Sequence, residues 1–142
     1  MKHRMVICFL FISFLFGGCH FQPKRNPQNR VVTKITVAYH NGEFTSQREY
    51  TDNEITRQIL NYLRYIDPYG KPDEDPETVS GHEYRIYLSM GENDTLLYRQ
   101  KDDRFFMGPD GNWQKISLSR GQKLGWLLWK IRSEESHISI SP

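Results

Sequence analysis

The 142-residue chain carries 19 Lys and Arg against 17 Asp and Glu, a formal charge of +2, and only two cysteines. A balance so near neutral gives no electrostatic case for nucleic acid, whose binding rests on neutralising phosphates. Two cysteines cannot build a disulfide framework, and the length admits one hydrophobic core and not two.

The first 18 residues read as an export leader. Lys2 and Arg4 precede an apolar run from Met5 to Phe16, and Gly17 and Gly18 bring small residues up to Cys19. The run is too short for a spanning helix, which needs about 20 apolar residues. Two glycines followed at once by cysteine resemble the signal of bacterial lipoproteins, with Phe16 where leucine is usual and Leu15 one step earlier. That resemblance implies cleavage before Cys19 and acylation of its thiol and new amino group. It also implies an anchored life on the outer face of the cell membrane, or on an outer membrane. Losing residues 1–18 removes two cations and no acid, so 17 of each sign remain. Cys8 leaves with the leader and Cys19 is consumed by lipid, so the exported domain keeps no thiol for a disulfide, a nucleophile or a metal. Residues 19–30, with Pro23 and Pro27 and almost no apolar content, read as the lipidated cysteine and a flexible tether.

Residues 31–132 are expected to form a single α+β domain. From Val31 to Tyr39 the β-branched residues and the alternation of Ile35, Val37 and Tyr39 predict a strand with one buried face. Asn41-Gly42 is a hairpin signal, and the return strand runs to about Tyr50. Thr51 and Glu54 fit a capping box at the start of a helix, with Ile55, Ile59, Tyr62, Leu63 and Ile66 as its apolar stripe. Asp67-Pro68 ends that helix. Residues 67–81 form a long loop rich in proline and glycine. Tyr84, Ile86, Leu88 and Met90 mark the next strand, and turns at 91–94, 101–103 and 108–111 separate three more. A last helix spans about 119–132, with Ser119 and Gln122 as a second capping box and Leu124, Leu127, Leu128 and Ile131 facing the sheet. Residues 133–142 read as a loose tail. The order β-β-α-β-β-β-β-α predicts an antiparallel sheet of five to six strands with two helices packed on one face.

Four segments carry candidate chemistry. On the last helix Trp126 and Trp129 project away from the leucine stripe. They are covered by the loop 67–81, packed on the tail, or offered to a partner, and exposed tryptophan is the residue type enriched at binding hot spots. The acidic run 73–77 lacks the glycine and spacing of a calcium loop and reads as solvated. Residues 80–84, Ser-Gly-His-Glu-Tyr, are similar to the Ser-Gly-x-x-Tyr motif in the periplasmic and membrane-bound inhibitors of c-type lysozyme. That resemblance would place Ser80 and Tyr84 in an inhibitory loop, although the family is an all-β barrel and two helices are read here. The same residues also read as a plain loop entering a strand. His40 and His82 sit in no nucleophile, metal or dinucleotide motif, and no cofactor signature occurs. The expectation is a non-catalytic envelope lipoprotein that binds another envelope protein, with an inhibitor or immunity lipoprotein acting on a lysozyme-like or other wall-active enzyme as the alternative. A small hydrolase built on His82 comes last.

Anchoring has a direct check. Cys19→Ser is expected to give uncleaved or lipid-free protein that stays in the aqueous phase, where the unchanged chain partitions into detergent. Equal partitioning of the two would remove the lipoprotein assignment.

Overall fold

Alternation of apolar and polar residues in one hairpin and a four-strand meander produces one antiparallel sheet, described here from a computed structural model covering residues 31–138. The leader, Cys19 and the tether lie outside the described residues, as do residues 139–142. The elements are β1 (Lys34–Asn41), β2 (Phe44–Tyr50), α1 (Asn53–Arg64), β3 (His82–Ser89), β4 (Thr95–Lys101), β5 (Phe105–Met107), β6 (Trp113–Lys115) and α2 (Leu118–Ile138). Six strands in the order β2-β1-β3-β4-β5-β6 pair antiparallel throughout, in the expected α+β arrangement.

Register decides which side chains share a face. Ile35 pairs with Leu88 and with Tyr50, Val37 with Ile86 and with Arg48, and Ile86 with Tyr98. These residues, with Gln100 and Phe106, form the face on which the helices lie. Ile35, Ile86, Ile59 of α1 and Leu124 of α2 are fully buried there, joined by Leu63, Ile66, Ile116 and Ile131. Leu127 and Leu128 are only partly buried against this core.

Turn chemistry follows sequence closely, with local shifts. The first hairpin loop is Gly42-Glu43, since Asn41 pairs with Phe44. Gly42 takes a φ of 56°, which suits glycine at the first central position of a two-residue turn. The β4–β5 turn runs through Asp102 and Asp103, at φ 49° and 51°, a conformation that aspartate tolerates better than most residues.

The caps differ from the expected boxes. Asp52, not Thr51, caps α1, its carboxylate accepting from the amides of Glu54 and Ile55 at 2.8 and 3.0 Å. A carboxylate reaches these first-turn amides and also meets the positive helix end. Glu54 instead pairs with Arg57. At α2 the backbone carbonyl of Ser117 receives Arg120 and Gly121, so Ser119 lies inside the first turn. α1 stops at Arg64, with Tyr65 as its cap, three residues short of the expected Asp67-Pro68 boundary. The helix α2 runs on to Ile138, where a loose tail from 133 was expected. Lys130 and Glu134, one turn apart, form an ion pair along this extension.

Leu124 is the packing centre of α2. Leu124→Ala in the lipid-free mature chain is expected to cost about 2–5 kcal/mol by lost transfer energy and a residual cavity. Leu128→Ala, at a half-buried position, should cost less, and urea unfolding of both variants measures the difference.

Candidate functional site

The helices cover only part of the sheet, and the reason lies in how α2 is seated. Gln100 of β4 is fully buried; its amide nitrogen donates to Asp103 Oδ1 and to the carbonyl of Gly121, both at 3.0 Å. The hydroxyl of Tyr62 of α1 donates to the Gln100 Oε1. His82 Nε2 lies 3.0 Å from the same Asp103 carboxylate. Burial, followed by the nearby Asp103 and Tyr84, pushes the Tyr62 hydroxyl far above its ordinary range, so it remains a donor. A Cβ at Gly121 would stand 2.0 Å from the carbonyl oxygen of Asp103, so only glycine lets the first turn of α2 approach the β4–β5 turn this closely.

From that contact α2 runs back over Tyr84 of β3, where a second glycine, Gly125, leaves 3.2 Å between an added Cβ and the Tyr84 hydroxyl. Beyond it Ile131 still packs into the core. A groove of about 430 Å³ opens between α2 and β1–β2. Its floor is Val37, Tyr39, Phe44, Ser46, Arg48, Tyr50 and Tyr84, and its wall is Gly125, Leu128, Trp129 and Arg132. The aromatic rings of Tyr39, Phe44 and Tyr84 stand 5.0–6.4 Å apart in tilted pairs. Burial, and then the neighbouring Tyr39 and Asp103, pushes the Tyr84 hydroxyl up to about 12, so it too is neutral at physiological pH. Among the described residues lining this groove there are two guanidinium groups and no carboxylate or histidine.

Both tryptophans are at the surface. Trp126 is 62% exposed and Trp129 64%, and Phe44 at the mouth of the groove is 60% exposed. Lys130 Nζ sits 5.8 Å from the Trp126 ring. Trp129 lines the groove and Trp126 does not.

The loop 67–81 does not cover these rings. It crosses the opposite face of the sheet, where charge holds it. Arg99 of β4 grips Glu77 through two nitrogens at 2.5 and 2.9 Å and Glu83 at 2.6 Å, while Arg85 adds a hydrogen bond to Glu83 at 2.9 Å. Trp113 Nε1 donates to Glu77 and the Arg99 guanidinium stacks 4.9 Å from its ring. Tyr69 makes a bridge to Lys115 at the β6 edge, and Asp73 pairs with the Lys115 ammonium. The acidic run expected to be solvated is therefore partly spent on binding Arg99 and Lys115. Among the described residues no three His, Cys, Asp or Glu side chains gather as a metal site.

Ser80 and Tyr84 are not brought together on a protruding loop. Ser80 is exposed just before β3, while Tyr84 lies within a strand flanked on both sides and half-buried beneath α2. His40 Nδ1 meets Thr45 Oγ1 at 3.1 Å on the first hairpin, on the face of the sheet opposite His82. Of the sequence candidates Tyr84 and Trp129 line the groove, whereas Tyr39, Arg48, Tyr50 and Arg132 were missed. Gly125 in mid-helix was the available signal, because glycine there costs about 1 kcal/mol relative to alanine unless something must come close.

No protein-family model, no curated protein and no solved structure matches the chain.

The clamp on the loop should titrate. Burial pushes the Glu83 carboxyl up, but hydrogen bonds from Arg99 and Arg85 outweigh it and hold it at about 2. A folded-state value below the unfolded one contributes stability that is present above about pH 4.5 and is lost as pH falls towards about 2. Glu83→Gln should flatten the fall in thermal midpoint across that window, at the cost of a lower midpoint near neutrality. An unchanged acid limb would show that Glu83 does not drive it.

Proposed function

We propose that the chain is an exported, lipid-anchored, non-catalytic binding module that holds another protein of the cell envelope through the Trp126–Trp129 side of α2 and its groove. The observation that carries this is the exposure of two tryptophans on a helix whose opposite side already satisfies the sheet. Large aromatic rings left in water next to a half-aromatic groove form a surface that gains from being covered. The groove's chemistry supports the binding reading, because its lining offers aromatic rings and guanidinium groups, the side chains enriched at binding hot spots. The anchor itself rests on the leader and Cys19. Among the described residues no helix is long and apolar enough to cross a membrane.

The reading divides cleanly from a folding role for the same rings. Replacing Trp126 and Trp129 together by alanine is expected to shift stability by no more than about 0.5 kcal/mol, as surface changes do. Capture of a partner from detergent-solubilised envelopes should fall by about thirtyfold or more per hot-spot ring lost. A loss of several kcal/mol in the melting curve would return both rings to the core, and unchanged capture would move the binding surface elsewhere.

A further inference from the structure

We infer that the outer edge of β2, with the groove above it, takes an extended acidic segment of a partner protein as a seventh strand. The inference rests on the binding-module reading and names the mode and chemistry of its site. β2 is the last strand of the sheet, and among the described residues no backbone group pairs with its outer side. Its seven residues pair with β1 in unbroken register, without a bulge and without proline. Exposed edges are normally blunted by such devices, because a flat open edge is a template for another strand. Among the described residues the edge stays open along a groove walled by Leu128 and Trp129, the arrangement in which main-chain bonds give affinity and alternate side chains give specificity.

The side chains set the chemistry. Phe44, Ser46, Arg48 and Tyr50 share the helix face of β2. A strand laid antiparallel along them puts every second residue beside one of these four, at about 4.5–5.5 Å between Cβ atoms. An apolar residue suits Phe44 and the Trp129 wall, and an acidic one suits Arg48, with Arg132 across the groove. Both arginines take part in interactions with other residues of the chain. A guanidinium carries five donors, more than a single carboxylate takes up. A second copy of the chain fits less well. Pairing β2 with itself about Gln47 would set Ser46 against Arg48 and bring two sets of Arg48 and Arg132 onto one face with no acid added from β2 on that face.

The test uses the mature chain carrying Cys19→Ser and a blocked, labelled heptapeptide. Its outward positions are threonine, and its inward positions are tyrosine, glutamate, serine and phenylalanine, in the order that faces Tyr50, Arg48, Ser46 and Phe44. A second peptide has lysine in place of glutamate. The glutamate peptide is expected to bind at least about tenfold more tightly than the lysine peptide. It should slow amide exchange at alternate residues of β2. Arg48→Glu, with its fold checked by circular dichroism, should reverse the order of the two peptides, and the milder Arg48→Gln should level them. Equal binding of both peptides by the unchanged chain, or no binding tighter than about 1 mM, would overturn the inference. So would protection of the β2 amides by self-association in sedimentation, which would assign the edge to a second copy. If the peptides fail while the Trp126 and Trp129 substitutions still abolish capture, the strand-addition mode falls and the binding module stands.

Discussion

Everything on the helix face of this domain is positioned by one buried amide. Gln100 reaches the turn through Asp103, the first turn of α2 through the Gly121 carbonyl and α1 through Tyr62. A buried amide left with a donor or acceptor unmet costs about 1–3 kcal/mol, so the three partners hold one another in place. Apolar packing alone would let α2 slide or rotate over a sheet of similar residues. The amide removes that freedom by fixing the helix at its N-terminal end, against the β4–β5 turn, with Gly121 as the only residue type that fits.

The open groove is the geometrical result. A helix fixed at the β4–β5 turn and brought down on Tyr84 at Gly125 leaves β2 from Phe44 to Arg48 as groove floor, while Tyr50 at its end is buried in the core. The other device that keeps this side open lies on the far face. Glu77, held by Arg99, Trp113 and the Lys101 ammonium, commits the loop 67–81 to that face and takes it out of reach of the tryptophans. Arg99 is largely buried, and although burial opposes its charge, Glu77 and Glu83 raise its hold on the proton further still. The Arg99–Glu83 pair is buried, and such pairs add little net stability over apolar packing although breaking one is expensive, while Glu77 is half exposed. Their consequence here is specificity of placement: the loop has one face to lie on.

The fold was legible because its signals are local and repeat. Alternation in 35–39 and 84–90, turn residues at 42, 91, 102 and 111, and the stripe from Ile55 to Ile66 each report on their own neighbourhood. The caps were displaced by one or two residues because Thr51-Asp52 and Ser117-Ser119 each offer two adjacent polar candidates, and geometry chooses between them. The α2 extension was invisible because Ser133 and Glu134 carry no apolar periodicity. The wheel correctly separated Leu124 and Ile131 from Trp126 and Trp129. What lies over those rings was not legible. It depends on where Glu77 finds Arg99, 22 residues away, and on the pairing of β2 with β1, which brings Phe44 and Arg48 beneath α2. Sites made by contacts between distant segments leave no local pattern.

The placement of the groove has a consequence for how strongly it needs to bind. The eleven residues between Cys19 and Val31 reach at most about 40 Å when fully extended. If lipid on Cys19 holds the chain, as proposed, the groove is confined to a shell next to the membrane that is no deeper than the domain and its leash. A partner fixed in the same membrane then meets it at an effective concentration that short leashes raise towards the millimolar range. A seven-residue edge, two arginines and one tryptophan wall would make a weak site in free solution, since ordering an extended segment costs much of what its contacts gain. Confinement removes most of the need for affinity and leaves the groove its other task. That task is discrimination, and Arg48 and Arg132 supply it by rejecting basic segments more strongly than they reward acidic ones.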